Sequence, residues 1–217
     1  MFDTNWELID GETAHEIEVL NLANQANVIE ALVRFFLHHQ GADDQGCHVH
    51  PNATAMKELH RTATFLLLAR PGELRASEVH VGDGAGNIVL EPPAAELVPG
   101  LLEQFFGELG AQWKKSTPLE IGALALWMVN WIHPFLNGNG RTARALCYTC
   151  VSLKFGFVLP GSPTLIDLIM ENRPEYYTAL QAADQGYTSD GKPNLDLLVA
   201  LLDRLLIQQF ESVNTAA

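Results

Sequence analysis

Leu22, Ala26, Ile29, Val33 and Phe36 recur at spacings of 4, 3, 4 and 3. That single apolar stripe predicts an N-terminal helix over about residues 12–40. Thr13 with Glu16 three residues on predicts a capping box at its start. The polar stretch from Gly41 to Asn52 predicts a loop. A second helix is predicted from about Ala53 to Ala69, with Met56, Leu59, His60, Ala63 and Leu67 facing inward, and Pro71-Gly72 stops it. The pattern then changes period. Ser77 to Val81 and Asn87 to Leu90 are short runs rich in β-branched residues around a glycine loop, Gly82 to Gly86, and predict a β-hairpin over about residues 77–90. Pro92-Pro93 ends it, and a helix is predicted from about Ala94 to Trp113.

Thr117-Pro118-Leu119-Glu120 combines an N-cap, a proline at the first helical position and an acid in the first turn. Residues 121–132 are apolar nearly all round, which marks a central buried helix. That helix must end before Pro134, because a residue preceding proline is pushed out of the α region. His133 therefore falls at the C-terminal end of the best-buried helix. The next helix is predicted from near Arg141 to Gly156. Shorter helices follow over 164–170 and 174–184, and a last one over about 194–212. The predicted fold is all-α, a helical bundle with one small hairpin, in a single domain over 1–217 with its core at about 53–190.

Charge narrows the set of partners. The chain has 26 acidic against 13 basic residues, a formal charge of −13. Duplex DNA or RNA needs clustered lysine and arginine and is not expected as a partner. A nucleotide needs only a local pocket and remains open. The start of the chain lacks the basic and apolar regions of a signal peptide, and no apolar run has membrane-spanning length. Three cysteines are too few for a disulfide framework. A cytoplasmic location is the default expectation, with secretion by a specialised system leaving the same sequence.

The chemistry concentrates in residues 133–144, His-Pro-Phe-Leu-Asn-Gly-Asn-Gly-Arg-Thr-Ala-Arg. A histidine stands at the mouth of a glycine-rich turn, and a helix begins where the turn ends. Such a turn can aim backbone N–H groups at an anion, and the helix N-terminus adds positive partial charge. Arg141 and Arg144 share a helix face and lean back toward that N-terminus. The combination suggests phosphate held by backbone and arginine with a base beside it.

This stretch resembles the signature of the Fic family, His-x-Phe-x-(Asp/Glu)-Gly-Asn-Gly-Arg-x-x-Arg. It matches at His133, Phe135, Gly138, Asn139, Gly140, Arg141 and Arg144 and departs at Asn137, where the family carries an acid. The likeness extends to Leu59-His60, Pro71-Gly72-Glu73-Leu74-Arg75, Val79-His80-Val81, Leu159-Pro160-Gly161 and Tyr177-x-x-Leu180-x-x-Ala183-Asp184. It implies a transferase that moves AMP from ATP to a Ser, Thr or Tyr hydroxyl of another protein. His133 would be the general base. Gly138, Asn139 and Gly140 would form the anion nest, and Arg141 and Arg144 would hold the outer phosphates. The hairpin would be the flap that docks the target protein. Residue 137 would be the Mg²⁺ position, where a neutral amide can ligate but brings no charge. Alternatives are transfer of another phosphate-linked group, such as UMP or phosphocholine, and a nucleotide-binding regulatory module without turnover. The family's inhibitory-helix motif has no match here, so control would come from a separate inhibitory protein or from truncation of a longer N-terminus.

Two other groupings carry chemistry-bearing residues. His38, His39, Asp43, Asp44, Cys47, His48 and His50 crowd one region, but their spacings fit no common zinc pattern. Cys147-x-x-Cys150 has redox spacing inside a predicted helix, where buried structural thiols are expected.

Overall fold

The computed structural model describes residues 7–39, 50–82 and 88–215. Among these residues the regular structure is helical apart from one two-stranded antiparallel sheet and an isolated bridge between Glu7 and Leu68. The helices are α1 (Gly11–His39), α2 (Ala53–Ala63), α3 (Val98–Gln112), α4 (Pro118–Ile132), α5 (Asn139–Phe155), α6 (Leu165–Glu171), α7 (Arg173–Asp190) and α8 (Asp196–Thr215). The strands are β1 (Val81–Gly82) and β2 (Ile88–Leu90), and a short 3-10 turn, Ala95–Leu97, precedes α3.

Helices α4 and α5 form the central antiparallel pair. Helices α1 and α2 cover α5, while α3, α7 and α8 pack on α4. The start of α4 is as its sequence predicts: Thr117 Oγ1 accepts from Glu120 N–H, and the Glu120 carboxylate accepts from Thr117 N–H. Residues 121–129 and Ile132 are buried, matching the all-round apolar pattern. Helix α5 starts two residues earlier than expected, at Asn139, and Gly156 closes it in a left-handed conformation.

Several expectations need correction. Helix α1 begins at Gly11, so Thr13 and Glu16 lie inside it rather than at a cap. Its inward stripe is not wholly apolar. Ile29, Val33 and Phe36 are buried as expected, but the two earlier inward positions are Asn21 and Gln25, and Leu22 is exposed. Asn21 donates to Phe65 O at 2.8 Å and Gln25 to Leu59 O at 2.8 Å. The amides face inward because α1 lies across backbone carbonyls that need donors.

Helix α2 stops at Ala63, short of the expected Ala69. Thr64 takes the C-cap, Leu66 turns left-handed at φ 61°, and Leu8 N–H meets Leu67 O at 3.0 Å. Partners from α1 and from the segment before it satisfy this backbone outside a helix. The strands are shorter than the runs that predict them. Val81 pairs with Leu90 and Gly82 with Ile88, a bulged register, and residues 83–87 of the loop lie outside the described residues. Helix α7 runs on to Asp190, past the expected end at Asp184.

Cys147 and Cys150 are free and buried on α5, and burial pushes the Cys147 thiol up to about 12 and raises Cys150 as well. Both are inert packing thiols at neutral pH. Asp43, Asp44, Cys47 and His48 lie outside the described residues. Among the described residues there is no cluster of metal-ligating side chains, and no helix is long and apolar enough to cross a membrane.

Candidate functional site

His133 is the C-cap of α4, in a left-handed conformation at φ 51° and ψ 58°. The following proline forbids continuation of the helix, and the left-handed turn swings residues 134–138 across the start of α5. The ring is half-buried. Its Nδ1 lies 3.2 Å from Asn130 O. A carbonyl can only accept, so Nδ1 carries the proton and Nε2 keeps a free lone pair. Burial, with the Arg75 charge adding to it and the Asn130 hydrogen bond opposing, lowers the His133 pKa to about 4. The imidazole is therefore neutral at pH 7.

Phe135 is fully buried and anchors the loop, stacked on His60 with ring centroids 3.7 Å apart. Asn139 is buried too. Its amide accepts from Phe135 N–H at 2.9 Å and donates to Phe135 O at 2.8 Å, closing the loop on itself. Gly138 sits at φ 77°, and a Cβ there would meet Thr64 Cγ2 at 2.6 Å, so only glycine fits. The first intrahelical bond of α5 runs from Thr142 N–H to Gly138 O. The N–H groups of Asn139, Gly140 and Arg141 thus precede the helical ladder, a set of donors facing outward at a helix start.

The two arginines are placed differently. Arg144 curls back toward the helix start, with Nη1 3.3 Å from where a Cβ on Gly140 would lie. Its Nε is buried and has no hydrogen-bond partner. Burial lowers its pKa; Tyr176 and Tyr177 oppose that shift, while Arg141 and Arg173 add to it. Arg141 is engaged elsewhere. Its Nη1 donates to Ala63 O at 3.1 Å and pairs with Glu18 of α1 at 3.1 Å.

Asn137 folds onto its own loop. Its Oδ1 accepts from Gly138 N–H at 2.6 Å and its Nδ2 lies 3.4 Å from Glu7 Oε1. With Arg141, Glu7, Glu18 and His15 it lines a cavity of about 220 Å³. Asn137 Oδ1 is already bonded to an N–H, and the two carboxylates of this cavity face Asn137 Nδ2 and Arg141, so the residues present do not fit a resident Mg²⁺, which needs free oxygen donors.

Several residues reach the site only through the fold, with no signal of a role in the sequence. His60 bridges the loop to the chain beyond α2. Gly72 N–H donates to its Nδ1 at 2.8 Å, so Nε2 carries the proton and donates to Asn137 O at 2.9 Å. Burial lowers its pKa to about 4, with the Asn137 hydrogen bond opposing and the Arg141 charge assisting. Arg75 is buried and bonds to the His133 carbonyl at 2.7 Å. Arg173, Tyr177 and Asp184 of α7 line a cavity of about 390 Å³ together with His133, Trp131, Leu180 and both strands of the hairpin. Its volume lies within the usual range of small-molecule pockets, ~300–1,000 Å³. Asp184 accepts from Trp127 Nε1–H at 2.8 Å, and burial raises its carboxyl above the ordinary range. A lone arginine before Pro174 gives no signal in sequence; only the packing of α7 against α4 brings it to the site.

Known proteins resemble this chain in sequence and in fold. Residues 51–151 match the model of the Fic/DOC family. The chain is 33% identical over 116 residues to a protein adenylyltransferase Fic of Drosophila willistoni, covering 53% of this chain and 21% of that protein. It is 32% identical over 136 residues to the one of Culex quinquefasciatus, covering 62% and 24%. The matched region thus spans less than a quarter of the length of these relatives. A Fic domain containing signaling protein from Bacteroides thetaiotaomicron superposes with a TM-score of 0.70 at 18% identity, covering 95% of this chain and 73% of that one. A Fic family protein from Desulfovibrio desulfuricans gives 0.66 at 21% identity, covering 96% and 56%. At these identities the structural likeness establishes the fold.

Proposed function

We propose that this chain, of which residues 51–151 belong to the Fic/DOC family, transfers AMP from ATP to a hydroxyl side chain of a target protein. The observation that carries the reading is Arg144. It is a cation drawn in against a glycine-rich helix start, with a buried N–H that no protein group accepts. A buried cation with an unpaired donor is costly, and an anion at the helix start offsets the buried charge.

The nucleoside occupies the cavity between the hairpin and α7. Trp131, Tyr177 and Leu180 give it apolar walls, and Asp184 gives an acceptor for a donor on the base. The polyphosphate runs from there to the N–H groups of Asn139 and Gly140 and to Arg144. The target's hydroxyl is presented by the hairpin, whose strands border the same cavity as His133. The hydroxyl oxygen attacks the α-phosphorus in line while its proton passes to His133 Nε2. The bond from the α-phosphorus to the bridging oxygen breaks, and pyrophosphate leaves with the electron pair. A base of pKa about 4 is weak, and the bound polyphosphate raises it by placing negative charge beside the imidazolium.

Any Mg²⁺ would have to be held by the nucleotide's own phosphate oxygens, where it would supply charge neutralisation, since Asn137 offers no carboxylate. The geometry of Asn137 favours one rival reading, a module that binds nucleotide without turnover. ATP labelled at its α-phosphate separates the two. Label that enters protein with the wild type and not with His133→Ala supports transfer. ATP binding with no label on any protein supports the module. Label retained in His133→Ala overturns the assignment of the base.

A further inference from the structure

Arg75 is the most heavily bonded side chain near the site, and the reaction above gives it no part. Its side chain has no exposed surface. Its Nε donates to His133 O at 2.7 Å and its Nη2 to Ile132 O at 3.4 Å, so the guanidinium caps the C-terminal end of α4. Its Nη1 donates to Ser77 O at 3.2 Å, and its Nη2 also donates to Pro93 O. Ser77 precedes β1 and Pro93 follows β2. The Arg75 backbone N–H adds a bond to Pro134 O at 2.9 Å. Glu78, 3.7 Å from Nη1, accepts from Ala95 N–H at 3.0 Å and closes the same network on the far side of the hairpin.

One planar cation therefore joins three things: the end of α4, the left-handed residue that carries the imidazole, and both feet of the hairpin. A left-handed histidine persists only where its surroundings over-determine it. Here three consecutive carbonyls through that turn, Ile132 O, His133 O and Pro134 O, are all held by residue 75. We propose that Arg75 is a positioning residue for the transfer. It locks the base in its left-handed turn and ties it to the hairpin, so that base and acceptor segment keep one register. This rests on the reading of His133 as base and of the hairpin as the docking edge.

The chemistry calls for arginine specifically. Four carbonyls at four angles need a rigid fork with five donors, and lysine offers three donors from one point. Arg75 also faces His133 as a charge. Among the described residues that line the cavity with His133, the ionisable groups are Arg173, Tyr177 and Asp184 of α7, and the four hairpin residues there, Val81, Gly82, Val89 and Leu90, bring none.

The test compares Arg75→Lys and Arg75→Gln with the wild-type chain, using three readouts. ATP affinity by calorimetry reports the anion site, the rate of label transfer reports register, and the His133 ring signals in an NMR pH titration report the base. Arg75→Lys is expected to bind ATP within about twofold of wild type, because the anion site stands on α5 and the apolar walls of the nucleoside cavity, Trp131, Tyr177 and Leu180, stand on α4 and α7. It is expected to lose about 100-fold in transfer, the scale of a misplaced reacting group, while its imidazole pKa stays low. Arg75→Gln is expected to lose transfer as well and to shift the imidazole upward. Wild-type transfer by a folded Arg75→Lys overturns the proposal, and so does parallel loss of ATP binding and transfer in both variants. Should Arg75→Gln fail to fold, Arg75→Lys still decides. Should the wild type transfer nothing, the functional reading fails on its own, and the His133 titration in the two variants still judges the coupling.

Discussion

The buried rings predict how stability depends on pH, and His60→Gln isolates one of them. His60 has a folded pKa of about 4 against an ordinary value of 6.5. Between those values the unfolded ring binds a proton that the folded ring refuses. Stability therefore rises with pH across that window and is lost as pH falls through it. At pH 5 the unfolded ring holds nearly a full proton and the folded ring about a tenth. The contribution is a slope of about 1.2 kcal/mol per pH unit. His133 has a folded value of about 4 too and supplies a second slope of similar size, which the variant retains.

At pH 7 the variant should be less stable. Gly72 N–H and Asn137 O lose a partner shaped to both, a cost of about 1–3 kcal/mol. The gap should then narrow by about 1.2 kcal/mol per pH unit near pH 5, because the variant carries no ring to protonate. Urea titrations followed by tryptophan fluorescence at closely spaced pH values from 4.5 to 7 give both curves. Parallel curves would show that the folded ring titrates normally. The neutral bridge between Gly72 and Asn137 would then be wrong.

Other outcomes follow from single contacts. Asn137→Asp should raise transfer at low Mg²⁺ by supplying a carboxylate to the nucleotide's metal, although Glu7 opposes the new charge from 3.4 Å; a rate that does not rise, compared across a Mg²⁺ series, refutes this account of position 137. Glu18→Gln should free Arg141 and tighten ATP binding about fivefold, roughly 1 kcal/mol, less so at high salt; calorimetry at two ionic strengths checks it, and unchanged affinity places Arg141 outside the polyphosphate path. Gly122→Ala should destabilise the α4–α5 seam by about 1–3 kcal/mol, since its Cβ would meet Val151 Cγ2 at 2.6 Å and Cys147 Sγ at 3.2 Å; thermal unfolding monitored by circular dichroism gives the number.

The parts of the molecule legible in sequence are those whose cause is local. Thr117, Pro118 and Glu120 carry the whole signal for the start of α4 within one turn, and Pro134 carries the signal for its end. The loop at 133–144 was legible for the same reason: its glycines answer to close approach and left-handed backbone within a few residues of themselves. What stayed hidden answers to groups distant in the chain. Asn21 and Gln25 face inward because the carbonyls of Phe65 and Leu59, 44 and 34 residues away, need donors. Periodicity reads those positions as breaks in an apolar stripe. Leu66 turns left-handed where Asn21 and Leu8 meet the flanking carbonyls, while its own neighbourhood reads as continuing helix.

The same distinction divides the two arginines of the signature, and it bears on how the site works. Spacing places Arg141 and Arg144 on one helix face, which makes them look equivalent. Their partners make them different, and those partners come from outside the helix. Arg141 meets Glu18 from α1 and a carbonyl from the end of α2, so its charge is already balanced. Arg144 meets the rings of Tyr176 and Tyr177 and the like charges of Arg141 and Arg173, with no carboxylate among the groups that shift it, so its charge is not. On the proposed function an incoming polyphosphate therefore gains most at Arg144, beside Tyr176, Tyr177 and Arg173 of α7. It gains less at Arg141, where it must first displace a carboxylate. The positive field at the glycine-rich turn is thus lopsided toward α7, and on the proposed function a bound polyphosphate would be drawn to that side.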